Sequence, residues 1–158
     1  QPKLLATVKI HDRYTKKRKD FLELLLSEGY FYDESVKDYK SDFKTLTDKE
    51  KLDNLSIAFS GKPIISQLGI PWTKLYNNGI TKPLLFYCFI EYKHENNRVF
   101  DLGERNNFTE QCRVLNNIFV NHKGEQFENM SQSRKKYITL TNQMQSTKDL
   151  FDSFFASI

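Results

Sequence analysis

The sequence predicts an α+β domain, a mostly helical body carrying a β-hairpin, on three observations. Apolar residues recur at helical spacing behind recognisable caps, as in Thr47-Asp48-Lys49-Glu50 followed by Leu52, Leu55, Ile57, Ala58 and Phe59. The run 83–93 is dense in β-prone residues and precedes Asn96-Asn97, a pair suited to the left-handed backbone of a tight turn. With 158 residues and 14% aromatic side chains, the chain has enough material for one core, hence a single domain over 1–158, and too much apolar surface for intrinsic disorder.

Each element follows from local pattern. Residues 4–10 are β-compatible and predict a strand, while 17–29 carry Phe21, Leu22, Leu24, Leu25 and Leu26 in a helical run that Gly29 closes. Tyr32, Val36, Tyr39 and Phe43 recur at i, i+4, i+7 and i+11, one stripe of a helix over 30–44. In the next helix, 47–60, the Thr47 hydroxyl bonds an early backbone N–H and Glu50 reaches back, and Gly61 ends it. Residues 62–79 predict two short helices about Gly69, the first opened by Pro63 and the second by Pro71, with Gly79 as the stop. Residues 83–93 and 98–102 then pair as a hairpin. Asn107 caps a helix to 120 with Cys112, Leu115, Ile118 and Phe119 on one side. Residues 121–133 are a polar loop, 137–141 an edge strand, and 143–158 an amphipathic helix rich in phenylalanine.

Charge and cysteine content bound the function. The 24 basic and 20 acidic residues leave a net charge of +4, too small to imply a polyanion partner by itself. Its distribution is more telling: no acidic residue lies between Asp53 and Glu91, whereas Lys62, Lys74 and Lys82 do. Such a segment either approaches an anion without self-repulsion or is a weakly charged piece of core. Lys16-Lys17-Arg18-Lys19 resembles a nuclear-localisation tetrad, and is equally the solvated start of a helix. Cys88 and Cys112 lack metal-ligand spacing and sit among apolar residues, so they read as buried thiols of a reducing, intracellular protein, with one disulfide between them as the alternative. The longest strongly apolar uncharged run, 83–90, is far short of the ~18–20 residues a membrane span needs, so no membrane is expected. With no glycine-rich phosphate loop, no cofactor is implied.

One stretch carries a resemblance. Ile64-Ile65-Ser66-Gln67-Leu68-Gly69-Ile70 followed by Thr73-Lys74-Leu75-Tyr76 resembles the helix-turn-helix of DNA-binding domains, with its aliphatic pair, Leu-Gly-Ile turn and Leu-Tyr pair. A capped helix before it and a hairpin after it follow the order of a winged helix, giving a winged-helix-like core at 47–102 with flanking helices. The resemblance implies that Trp72, Thr73, Lys74, Asn77 and Asn78 face the major groove, and that the hairpin tip at His94, Asn96, Asn97 and Arg98 meets backbone or minor groove. Lys62, Lys74, Lys82 and Arg98 are then the phosphate contacts, and binding of DNA or another nucleic acid is the expected function.

Two further classes stand beside it. Phe151, Phe154 and Phe155 crowd the last helix, which either packs on the core or docks a protein partner. Glu91 and Lys93 resemble half of the site of PD-(D/E)xK nucleases, with Asp53, the nearest upstream acid, or Asp101 on the paired strand to complete a metal site, and equally fit an exposed strand face. His11, His94 and His122 assemble no nucleophile pattern. No catalytic residue or metal ligand is therefore assigned, and the expected chemistry is binding.

Overall fold

The first half of the chain comprises β1 (Lys9–Ile10), α1 (Arg18–Ser27) entered through a 3-10 turn at Asp12–Lys17, α2 (Asp48–Ala58) and β2 (Ile70–Pro71). Then come α3 (Lys82–Phe86), β3 (Lys93–His94), β4 (Asn97–Arg98), β5 (Phe100–Asp101), α4 (Phe108–Ile118), β6 (Phe119–Val120) and α5 (Asn142–Phe155). The computed structural model describes residues 7–74, 82–102, 108–127 and 142–156. Short ladders tie the helices together: β1 antiparallel to β5, β2 parallel to β6, and β3 antiparallel to β4. This is the mixed α+β class the sequence predicts.

Several elements form as their local chemistry dictates. Helix α1 buries Phe21, Leu22 and Leu25, neighbours on one helical face, and Gly29 takes φ of +76° just past its end. A Cβ at Gly29 would stand 2.9 Å from a carboxylate oxygen of Asp33. Helix α2 starts at the predicted capping box: the Glu50 N–H donates to Thr47 Oγ1 and the Thr47 N–H donates to Glu50 Oε1, both at 3.1 Å. Helix α4 buries Cys112, Leu115 and Ile118 as its periodicity requires.

Elsewhere tertiary packing overrides local pattern. The stripe Tyr32, Val36, Tyr39 and Phe43 is not helical, because Tyr32 and Asp38 take φ of +60° and +64° and only Ser41–Thr45 coils, as a 3-10 turn. Tyr30, Phe31 and Tyr32 are all buried, and a helix would point successive side chains about 100° apart. The irregular backbone instead sends Tyr30 to Trp72 and Phe151, Phe31 to Phe119, and Tyr32 to Phe43.

No helix forms over residues 61–74, so the two short helices expected about Gly69 are not built there. Gly69 does turn, at φ +64°, but the backbone around it bonds to distant chain. Leu68 N–H reaches the Asn117 carbonyl, Trp72 N–H the Val120 carbonyl at 2.8 Å, and Thr73 N–H the Tyr30 carbonyl at 2.8 Å. Those partners hold the segment extended, with Ile70 and Pro71 opposite Phe119 and Val120. The winged-helix-like core expected at 47–102 thus keeps its capped helix and a hairpin, without a helix over 61–74 between them.

Residues 83–93 are not a strand either. Helix α3 runs into a π-helical turn at Tyr87–Glu91, closed by a 2.8 Å bond from the Tyr92 N–H to the Tyr87 carbonyl. Every side chain from Leu84 to Ile90 is buried, and a run apolar on all sides suits a buried helix as well as a buried strand. The hairpin follows it, pairing Lys93 with Arg98 and His94 with Asn97 across Glu95 and Asn96, whose φ values are +51° and +67°. Its turn falls one residue before the predicted Asn96-Asn97. The edge strand predicted at 137–141 lies outside the described residues.

The core is aromatic. Phe119 stacks on both Phe31 and Phe89, with ring centroids 5.2 and 5.4 Å away, and Trp72, Phe59 and Phe100 close around Phe89. Truncating Phe89 to Ala is expected to cost about 3–5 kcal/mol, read as a fall in the urea midpoint at unchanged slope. Thr47→Ala, which removes only the cap, should cost about 1 kcal/mol in the same measurement.

Candidate nucleic-acid interface

The hairpin of β3 and β4 owes its orientation to one buried side chain. His94 is 6% exposed and faces the core, its ring 6.0 Å from those of Tyr14 and Phe155. Strand side chains alternate, so Lys93 and its cross-strand partner Arg98 face solvent on the opposite side, next to each other.

A polar network clamps the hairpin to α5. Asp152 Oδ1 accepts a 2.8 Å bond from the Tyr92 hydroxyl and lies 3.5 Å from His94 Nδ1, while Asp152 Oδ2 accepts from Lys148 Nζ at 2.6 Å. Partial burial pushes the Asp152 carboxyl up, but the bonds from Lys148, Tyr92 and His94 outweigh it and hold it below its ordinary value. Burial, and then the bond to Asp152, push the Tyr92 hydroxyl well up. At the turn, the Arg13 guanidinium donates to Glu95 Oε2 at 3.1 Å, fastening the 3-10 turn before α1 to the hairpin tip.

The expected site residues divide between this edge and other places. Arg98 is exposed on it, whereas Lys62, though exposed, lies with Ser60 on the side of β1 away from β5, where the Thr7 hydroxyl donates to its carbonyl at 2.5 Å. Lys9 of β1 stands opposite Asp101 of β5 and pairs with Asp12 at 3.1 Å. Lys74 does not belong to the edge: its ammonium donates to the Glu28 carbonyl at 3.2 Å and sits 4.9 Å from the Tyr30 ring centroid. Trp72 and Thr73, expected in a major groove, are 0% and 2% exposed, because the extended segment turns the indole towards Tyr30, Phe31 and Phe89 and the Thr73 hydroxyl onto the Gly29 carbonyl. His94, expected at the tip, is likewise core, whereas Asn96 and Asn97 are exposed there. Asn77 and Asn78 lie outside the described residues, and of Lys82 only the backbone is described.

The other expectations also meet the packing. Phe151 and Phe155 are buried against Phe21, Tyr14 and Tyr92, and Phe154 packs beside Phe21, so this face belongs to the core and is not a free docking surface. Glu91 ends the π-helical turn while Lys93 opens β3, so the two do not alternate along one strand face. In the tetrad, Arg18 donates to the Ser56 carbonyl and Lys17 lies 5.9 Å from the Phe154 ring, leaving Lys16 and Lys19 exposed. Cys88 and Cys112 are buried and not joined in a disulfide, and burial pushes the Cys88 thiol up. No helix among the described residues is long and apolar enough to cross a membrane.

Sequence reasoning missed Lys93 and Arg13 as members of this edge. The signal was the alternation Lys93-His94 before a turn and Asn97-Arg98 after it, obscured by reading 83–93 as one long strand. Known protein families, curated proteins and solved structures contain no match to this chain.

A carboxyl held below its ordinary value stabilises the fold above that value and loses its contribution as pH falls through the folded value. Stability of the native chain should therefore drop on acidification from about pH 5 to 3, and Asp152→Asn should be less stable at neutral pH with a shallower acid limb, read from urea midpoints against pH.

Proposed function

We infer that this chain binds nucleic acid, holding the phosphate backbone along the solvent edge formed by the hairpin and β1. The observation that carries the reading is the cross-strand pair of Lys93 and Arg98. Like charges directly opposite on a ladder destabilise it, and neither side chain has an ion-pair partner among the described residues. A polyanion removes that repulsion by placing a phosphate against each cation. Lys16 and Lys19 lie exposed where the 3-10 turn leads into α1.

This placement differs from a helix-turn-helix. With Trp72 and Thr73 in the core, the cations of the edge contact phosphate, which positions the ligand and carries no base information. Weak sequence preference and strong salt dependence follow.

Fluorescence anisotropy with a labelled random duplex and the matching single strand, from about 50 to 200 mM salt, tests the reading. The Lys93→Glu/Arg98→Glu variant should bind at least tenfold more weakly, with the slope of log K against log salt reduced by about 2, and Lys74→Glu should match the parent. No binding at the lowest salt, or equal loss in both variants, would sink it.

A further inference from the structure

The hairpin of β3 and β4 has only two residues in each strand. A ribbon that short has little stability of its own, so the groups that seat it decide where it lies. His94 is the side chain it buries, and charged groups from separate elements converge on that ring. Asp152 of α5 sets Oδ1 3.5 Å from Nδ1, and Glu95 of the turn sets Oε1 3.8 Å from Nε2. Each carboxylate gives its other oxygen to a permanent cation: Asp152 Oδ2 to Lys148 at 2.6 Å, and Glu95 Oε2 to Arg13 of the 3-10 turn at 3.1 Å. Tyr92, just before β3, donates to Asp152, and the Tyr14 ring, with His11 against it, packs on the imidazole from the 3-10 turn.

Both ring nitrogens therefore face a carboxylate. A neutral imidazole has one N–H and one lone pair, whereas the imidazolium donates from both nitrogens. With the proton on, each carboxylate meets a cation at each of its oxygens. With it off, the remaining N–H serves one carboxylate and the lone pair of the other nitrogen faces the second, at a ring only 6% exposed, where little water screens the repulsion. Asp152 keeps Lys148 and Tyr92 and is fixed on a helix. Glu95 stands in the exposed tip at φ +51°, an uncommon setting for its residue type, and is the partner that yields.

We propose that His94 is a proton-operated latch on the hairpin: its imidazolium ties the tip, through Glu95, to Asp152 of α5, and loss of the proton releases the tip. His94 turned inward is what leaves Lys93 and Arg98 outward, so the same proton governs how firmly those two cations are presented. The latch acts on the seating of the hairpin, whatever the hairpin binds. An interaction that needs the imidazolium is present while the ring is charged and fades as pH rises through the range in which imidazoles titrate.

NMR on the whole chain reads the latch directly, by following the His94 ring resonances together with the NOEs from that ring to Tyr14 and Phe155. Those NOEs should weaken at least about threefold between about pH 5.5 and 8, in step with the His94 ring, while the NOEs between Phe21 and Phe151 stay level. Glu95→Gln, at an exposed position, puts a neutral amide in place of the carboxylate and should abolish the change. Arg13→Gln removes the neighbouring ion pair but leaves Glu95, and the change should persist. Equal His94 NOEs at both ends of the range, a change that tracks His11 in place of His94, an undiminished change in Glu95→Gln, or its loss in Arg13→Gln would overturn the proposal.

Discussion

Phe31, Phe89 and Phe119 meet pairwise, and that cluster organises the rest of the molecule. Phe31 comes from the segment after α1, Phe89 from the π-helical turn after α3, and Phe119 from the end of α4. Bringing those three rings together brings together the backbones that carry them. Trp72 then seats edge-on against Phe31 and Phe89, and the chain leading to it has no room to coil. It becomes the strand β2 beside β6, with its hydrogen bonds made to Val120 and Tyr30 in place of its own next turn. A large aromatic contributes more by burial than a turn of weakly predisposed helix contributes by propensity, so packing decides the backbone.

Helix α5 completes the core from the other side and aims the candidate interface. Phe151 and Phe155 meet Phe21, Tyr14 and Tyr92, while Asp152, on the same helix, gathers Tyr92, His94 and Lys148. Burying His94 commits the hairpin to one face, and the period of two along a strand leaves Lys93 and Arg98 outward. Stability and the proposed function are linked at this point: the interactions that seat the hairpin on α5 are those that present its cations.

Legibility followed the range of the interactions involved. The capping box at Thr47 and Glu50, the stop at Gly29 and the apolar side of α4 were readable because each rests on residues within a few positions of one another. Residues 83–93 were not, because a run buried on all sides has no period to distinguish helix from strand. Trp72 and Thr73 were misplaced for a related reason: exposure depends on partners distant in sequence, here Tyr30 and Val120. The candidate interface was half visible, since Arg98 stood out by charge, while Lys93 and Arg13 joined it only through the ladder and the Glu95 contact.

By itself the sequence determined the α+β class, the positions of the capped and amphipathic helices, the left-handed glycine turns and the existence of a hairpin. These depend on backbone sterics, capping hydrogen bonds and periodicity, all of which act within a few residues. Tertiary structure alone decided that 61–74 runs extended, that the aromatic face of α5 is core, and that Tyr32 takes φ of +60°. Each of those outcomes required surfaces from distant parts of the chain to compete for the same buried volume, and burial in a close-packed interior is a property of the assembled molecule.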